Sequence, residues 1–212
     1  LFKGNLPYEF QWESKGPLFY FLYALPELFF DKSILGVKIF NDFVFLLVVI
    51  SIYFASLKIT KNYSFSGYVS LIFILFTSIS FEGHPGYSEL YVLLFLGVAI
   101  NLIFKENKNK HNIFLIGFFL SLATLISISS LLFVLLIGLF ELTRYKFDLK
   151  KFVQLGLGFL IPYSIVVLIY SLNNSLPGYI MTNFIIPFSY VENNENFFEI
   201  YKDIFIKTKN NQ

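Results

Sequence analysis

Cysteine is absent from the 212 residues, which rules out disulfides and thiolate metal centres while leaving the compartment open. Charge is scarce. Asp, Glu, Lys and Arg make up 14% of the chain, against about 25% in a soluble globular domain, so an ordinary water-covered surface is excluded. No signal peptide, internal repeat or glycine-rich phosphate loop is seen in these residues. Methionine occurs once, at Met181, and the first residue is Leu1, so the chain is expected to be a piece of a longer protein. What is abundant is apolar: 56% of residues are hydrophobic and 21% aromatic, with a mean hydropathy of +0.67. These balances predict an integral membrane protein of all-α class, a polytopic helix bundle, with membrane lipid as its surroundings and no nucleic acid as a partner. The expected location is the bacterial inner (plasma) membrane.

The stretch that organises the chain is WESKGPLFYFLYALPELFF, residues 12–30. Lys15, Gly16 and Pro17 make a polar break, and Pro17, whose φ is preset and whose missing N–H would be unpaired anyway, starts a helix. The apolar run 18–30 would reach only about 20 Å, short of the roughly 30 Å of bilayer hydrocarbon. Tyr20, Tyr23 and Pro26 interrupt it, and Glu13, Lys15, Glu27, Asp31 and Lys32 flank it, which suits a helix lying at the membrane surface. Three regions follow: an outer loop with this interfacial helix (1–33), a transmembrane region (34–172), and an outer loop or tail (173–212).

Within the middle region crossings are expected over 34–57, 64–81, 89–104 and 152–172, the last with Pro162 as a kink. The run 113–142 is too long for one span and short for two. Charge decides the matter: if the run folds back near Ser127 to Ser130, nine of the sixteen Lys and Arg gather on one side, namely Lys58, Lys61, Lys105, Lys108, Lys110, Arg144, Lys146, Lys150 and Lys151. The positive-inside rule makes that side cytoplasmic and predicts two short spans, 112–127 and 130–143, hence six crossings. The tail should then lie outside, flexible, with at most one short surface helix over 196–207.

Ionisable residues on the non-cytoplasmic face are the natural functional candidates, because polar groups at membrane depth are costly. Glu82, His84 and Glu89 fall within eight residues. One reading makes His84 a ligand of a divalent metal ion together with a glutamate. The other is a solvated loop with Glu89 stabilised at a helix N-terminus, and it suits Glu82 better. Lys15 has two readings as well, a phosphate-binding cation or a snorkelling interfacial lysine. Lys38 and Asp42 are expected to pair along one helix face. Asn101, Ser121, Thr124 and Ser127 are expected to serve helix packing.

The order KGPLFYFLYAL, a lysine in the next helix (Lys38 in ILGVKIF), a span ending in basic residues, a short outer loop and an acidic residue opening SELYVLLFLGVAINLIF resembles the GT-C superfamily of membrane glycosyltransferases. More narrowly it is similar to the branch of dolichyl-phosphate-mannose protein mannosyltransferases and aminoarabinose transferases, over residues 6–142. That branch often carries two prolines after the basic residue, where this chain has Gly16 and Pro17. The resemblance implies transfer of a sugar from a polyprenyl-phosphate carrier to a glycan, lipid or protein acceptor on the non-cytoplasmic face. It implies Lys15, Glu89, Tyr20 and Lys38 as donor-phosphate or substrate-binding residues and places the catalytic aspartate upstream of Leu1. The rival class is a transporter or lipid-carrier flippase, which calls for ionisable or broken-helix features near mid-membrane.

Overall fold

The structure is a computed structural model that describes residues 6–8, 15–30, 33–80, 88–105, 110–144, 146 and 148–185. Every regular element among the described residues is helical. Helix α1 (Pro17–Ala24) begins on Pro17 as expected. It stops at Leu25 because Pro26 has no N–H for the Leu22 carbonyl, which takes the Leu25 N–H instead. The four-residue α2 (Glu27–Phe30) follows. The single surface helix expected over 17–30 is therefore two pieces. Moreover, α1 is not free surface: Leu18, Phe19 and Leu22 pack on the main core, and Tyr20 on a second cluster. The most exposed apolar surface here belongs to Leu28 and Phe29 of α2 and to Ile34 and Leu35 beyond it, with Phe21 and Leu25 less exposed.

Helix α3 (Ile34–Thr60) ends where Lys61 turns left-handed, at φ 55°, and returns its N–H to the Leu57 carbonyl. Asn62 then starts α4 (Tyr63–Ser80), its Oδ1 accepting from the Phe65 amide at 3.1 Å. Helix α5 (Ser88–Ile103) lies beside α3 with a fixed offset of fifty residues. The Tyr91 hydroxyl donates to Asn41 Oδ1, and Asn101 Nδ2 donates to the carbonyl and hydroxyl of Ser51 at 2.8 and 3.1 Å. A constant offset means parallel helices, so α4 is the return stroke between them. At the crossing Gly97 faces Ser51, where a Cβ would stand 2.5 Å from the serine Oγ.

The run 113–142 divides as charge predicted. Helix α6 (Lys110–Ile126) ends, Ser127 is extended, one 3₁₀ turn spans Ile128–Ser130, and α7 (Leu131–Arg144) follows. Helix α8 (Leu149–Leu172) is capped by the Asp148 carboxylate and runs through Pro162 without a break. It packs parallel to α6. Gly117 and Gly158 let the two backbones meet, since a Cβ on either would lie 2.1 Å from the Leu155 oxygen or 2.0 Å from the Phe114 oxygen. Further along, Tyr163 of α8 reaches Thr124 of α6. The long helices thus pack in the order α4, α3, α5, α6, α8, with α1 against α6 and α7 against α5 and α6. The main core lies around α5 and α6, built from Tyr91, Leu96, Ala99, Ile116, Leu120 and Ala123 among others.

Two ends can be defined. At the foot, Lys58 Nζ donates to the Asn101 carbonyl at 2.8 Å and Arg144 Nη1 to the Ile103 carbonyl at 2.7 Å, which gathers the C-terminal ends of α3, α5 and α7. At the head lie α1, the starts of α3 and α5, and the end of α6. The chain therefore alternates direction from α3 through α8, and the basic residues Lys58, Lys61, Lys105, Arg144 and Lys146 share the foot. Lys108 lies outside the described residues.

By length and composition α3 and α8 can cross a membrane: each has a hydropathy of 2.2, and only 17% and 11% of their apolar windows are buried. Such exposure does not suit the core helices of a water-soluble fold. The other four expected crossings are shorter. At 14 to 18 residues, α4 to α7 reach about 21–27 Å, under the roughly 30 Å of hydrocarbon. The segment after α8 also departs from expectation. A flexible loop was expected, but α9 (Leu176–Ile180) and a π turn (Met181–Ile185) form there, with Tyr179 and Thr182 buried. The helix expected over 196–207 lies outside the described residues.

The Gly117–Gly158 approach predicts opposite outcomes for two glycines of α8. Gly158→Ala forces two backbones apart and should destabilise the protein by about 1–3 kcal/mol. Gly156→Ala, which meets nothing within 4 Å, should stabilise it by roughly 0.5–1 kcal/mol. Denaturation in detergent micelles checks both, and equal effects would deny the close crossing.

Candidate functional site

The head is assembled from three segments far apart in the chain. Gly16 donates its N–H to the Ile126 carbonyl at 2.7 Å, the oxygen left open where α6 ends. Only glycine fits there, because a Cβ would stand 2.1 Å from the Leu125 oxygen. One residue earlier, the Lys15 carbonyl accepts from the Tyr8 hydroxyl. With its backbone fixed on both sides, Lys15 extends its ammonium to Glu89, Nζ to Oε1 3.1 Å. Glu89 occupies the first turn of α5, where unpaired amides and the helix dipole favour a carboxylate. The two side chains are 34% and 53% exposed, so the pair is a rim contact reachable from solvent.

Beneath the rim, Phe19 of α1 meets Tyr91 of α5 edge-on, with ring centroids 6.1 Å apart. Tyr91 in turn holds Asn41 of α3. To one side lies an aromatic cluster. Tyr8, at φ 72°, contacts the rings of Tyr20, Tyr170 and Tyr179, and Tyr170 stacks on Tyr179 at 4.8 Å. Asn183 of the π turn donates to the Tyr179 carbonyl at 3.1 Å and places its own carbonyl 3.5 Å from the Tyr8 hydroxyl.

The structure thus brings Lys15 and Glu89 together but treats the other expected site residues differently. Tyr20 packs against Tyr8 and Phe19 in the aromatic cluster. Lys38 and Asp42 are both exposed on α3 and make no ion pair with each other, since two solvated charges gain little by ordering a long lysine side chain. His84 and Glu82 lie outside the described residues. Among the described residues no three His, Asp or Glu side chains gather. Glu89 is engaged by the Lys15 ammonium. Asn101 does serve packing, tying α5 to α3, and Thr124 meets Tyr163 of α8; Ser121 is buried on α6, and Ser127 shares a hydrogen bond with Ser129.

Sequence reasoning missed Tyr8, which anchors the first segment, and Glu141, which is 1% exposed on α7. A signal for Glu141 existed: Val134, Gly138 and Glu141 recur at helical spacing and all are buried.

An ammonium held this way can bind an anion if Glu89 lets go, and letting go is easy. An exposed pair contributes about 0–1 kcal/mol. Glu89→Gln should therefore lower stability by less than about 1 kcal/mol. Tyr91→Phe, which strips Asn41 Oδ1 of its donor in the core, should cost about 1–3 kcal/mol. Chemical denaturation of the two variants side by side gives the order, and a reversed order would mean that the head is held by charge, not by its buried amide.

No family model, no curated protein and no solved structure matches this chain.

Proposed function

We propose that the chain forms part of a membrane-embedded glycosyltransferase that moves a sugar from a polyprenyl-phosphate donor to an acceptor on the non-cytoplasmic face. The observation that carries this reading is the meeting of Lys15 and Glu89 at the head, beside α1 and away from the basic foot. In this reading all six helices from α3 to α8 cross the bilayer, the short ones in a locally thin region, and the foot faces the cytoplasm because its loops hold the lysines and arginines. The head then opens at the outer surface, where a carrier lipid keeps its tail in the bilayer and presents its phosphate. The exposed Leu28, Phe29 and Phe30 sit at the level of the headgroups and lipid tails.

Transfer breaks the bond between the anomeric carbon and a phosphate oxygen, forms one to an acceptor hydroxyl, and leaves negative charge on the departing phosphate. Lys15 neutralises that charge by a charge-assisted hydrogen bond, and the displaced Glu89 is free to accept from a hydroxyl. The acceptor's proton goes to a base that the family resemblance places outside these residues.

Two measurements test the reading. In the full-length protein, Lys15→Ala should lower turnover with a polyprenyl-phosphate sugar by at least about tenfold, roughly 1.36 kcal/mol of transition-state stabilisation, whereas Lys58→Ala should leave it unchanged. Loss of activity in both, or in neither, refutes the role of Lys15. Cysteines at Lys108 and Lys146 should label from the cytoplasmic side and one at Asn194 from the other side. Labelling of 108 and 146 from opposite sides would overturn the threading.

A further inference from the structure

The foot carries an excess of positive charge that the fold does not use up. Its three loops, 58–62, 105–111 and 144–151, hold nine lysines and arginines and two acids, Glu106 and Asp148. Asp148 is taken up in capping α8. Helix dipoles do not absorb the surplus either. Helices α3, α5 and α7 end at the foot while α4, α6 and α8 begin there, so their partial charges of opposite sign roughly cancel.

The cations gather beneath one helix. Lys58 from α3 and Arg144 from α7 both donate to carbonyls in the last turn of α5, two residues apart and so about 3 Å apart along the helix axis. Lys105 stands two residues beyond the end of that helix, near enough to repel Lys58. Lys58 and Arg144 each spend one N–H on a carbonyl and have others to give. All three side chains are exposed, and among the described residues no carboxylate forms an ion pair with any of them.

Above the cations the surface is apolar. Leu136 and Phe140 precede Arg144 at intervals of four residues and so share its face of α7, where they are 57% and 50% exposed. Phe104 of α5 meets Phe140 with ring centroids 6.2 Å apart, which ties this column to the cation cluster. A small free anion would use the charges but not the column. Positive charge with an apolar wall running from it toward the middle of the bundle matches a lipid whose headgroup is negative.

We propose that the foot beneath α5 binds an anionic phospholipid, its phosphate held by Lys58, Lys105 and Arg144 and one acyl chain lying along Leu136 and Phe140. This rests on the reading that α3 to α8 cross the bilayer, and not on sugar transfer. The site lies at the opposite end from Lys15 and takes no part in that reaction.

The test uses full-length protein in detergent, titrated by native mass spectrometry with dioleoyl phosphatidylglycerol, dioleoyl phosphatidylcholine and inorganic phosphate. Phosphatidylglycerol should bind about tenfold more tightly than phosphatidylcholine. The paired variant Lys105→Gln/Arg144→Gln should cut that preference to within about twofold, whereas Lys38→Gln, which takes a cation from the head, should leave it nearly unchanged. Because Arg144 also ties α7 to α5, Lys105→Gln alone serves as the variant that spares that tie, with a loss of about threefold. Phe140→Ala should weaken phosphatidylglycerol by about threefold through the chain contact. Inorganic phosphate in excess should not displace the lipid. The site is overturned by a preference that survives the paired variant and Lys105→Gln, by an equal loss in Lys38→Gln, by a Phe140→Ala variant that binds like the parent, or by displacement with inorganic phosphate. Failure of the bilayer reading looks different: cysteines at 108 and 146 would label from opposite sides, and the foot would not be one surface.

Discussion

The hydrogen bond from the Gly16 amide to the last carbonyl of α6 is the contact that gives the head its shape. A helix that ends abruptly leaves carbonyls open, and α6 ends abruptly because Ser127 is extended. Gly16 supplies a donor and, having no Cβ, comes close enough to use it. Pro17 then begins α1 at once, since it needs no partner for an N–H that it lacks. The pair Gly-Pro thus joins a bond to one helix with the start of another, and Lys15 is placed by the residue that follows it. Loss of the Gly16 contact would leave Lys15 held only through its carbonyl, by the Tyr8 hydroxyl.

The bundle below depends on two parallel pairs, each joined differently. Between α3 and α5 the contact is polar: Asn101 bonds Ser51, and Tyr91 bonds Asn41 near the other end. Between α6 and α8 it is steric, two glycines letting backbone approach backbone. Both devices work where surroundings are apolar and the hydrophobic effect cannot by itself choose one helix face over another. Parallel neighbours also demand a return stroke, so α4 and α7 are fixed in direction by contacts that they do not make themselves.

Much of this was legible because it follows from local chemistry or from charge. The start of α1 at Pro17, the division near Ser127 to Ser130 and the shared position of the basic loops each had a cause within the sequence. Lys15 and Glu89, both named by the resemblance, meet because one precedes and the other opens a helix at the same end. What escaped depends on partners distant in the chain. Pro177 and Gly178 read as loop residues, yet Pro177 lies in the first turn of α9, and Gly178 leaves room for the Tyr8 carbonyl, 3.0 Å from where its Cβ would be. Tyr179 is buried because Tyr8 and Tyr170 cover it, a contact that no periodicity encodes. The contact of Tyr20 with Tyr8 is of the same kind.

The unequal helix lengths carry a consequence for the surroundings. Helix α3 has 27 residues and α7 only 14, a difference of about 20 Å along the helix axis. In a bilayer the lipid on the α7 side has to thin, or water has to enter, to meet so short a wall, while on the α3 side it keeps its thickness. The protein would then sit in a lopsided membrane, with headgroups dipping toward the midplane beside α7.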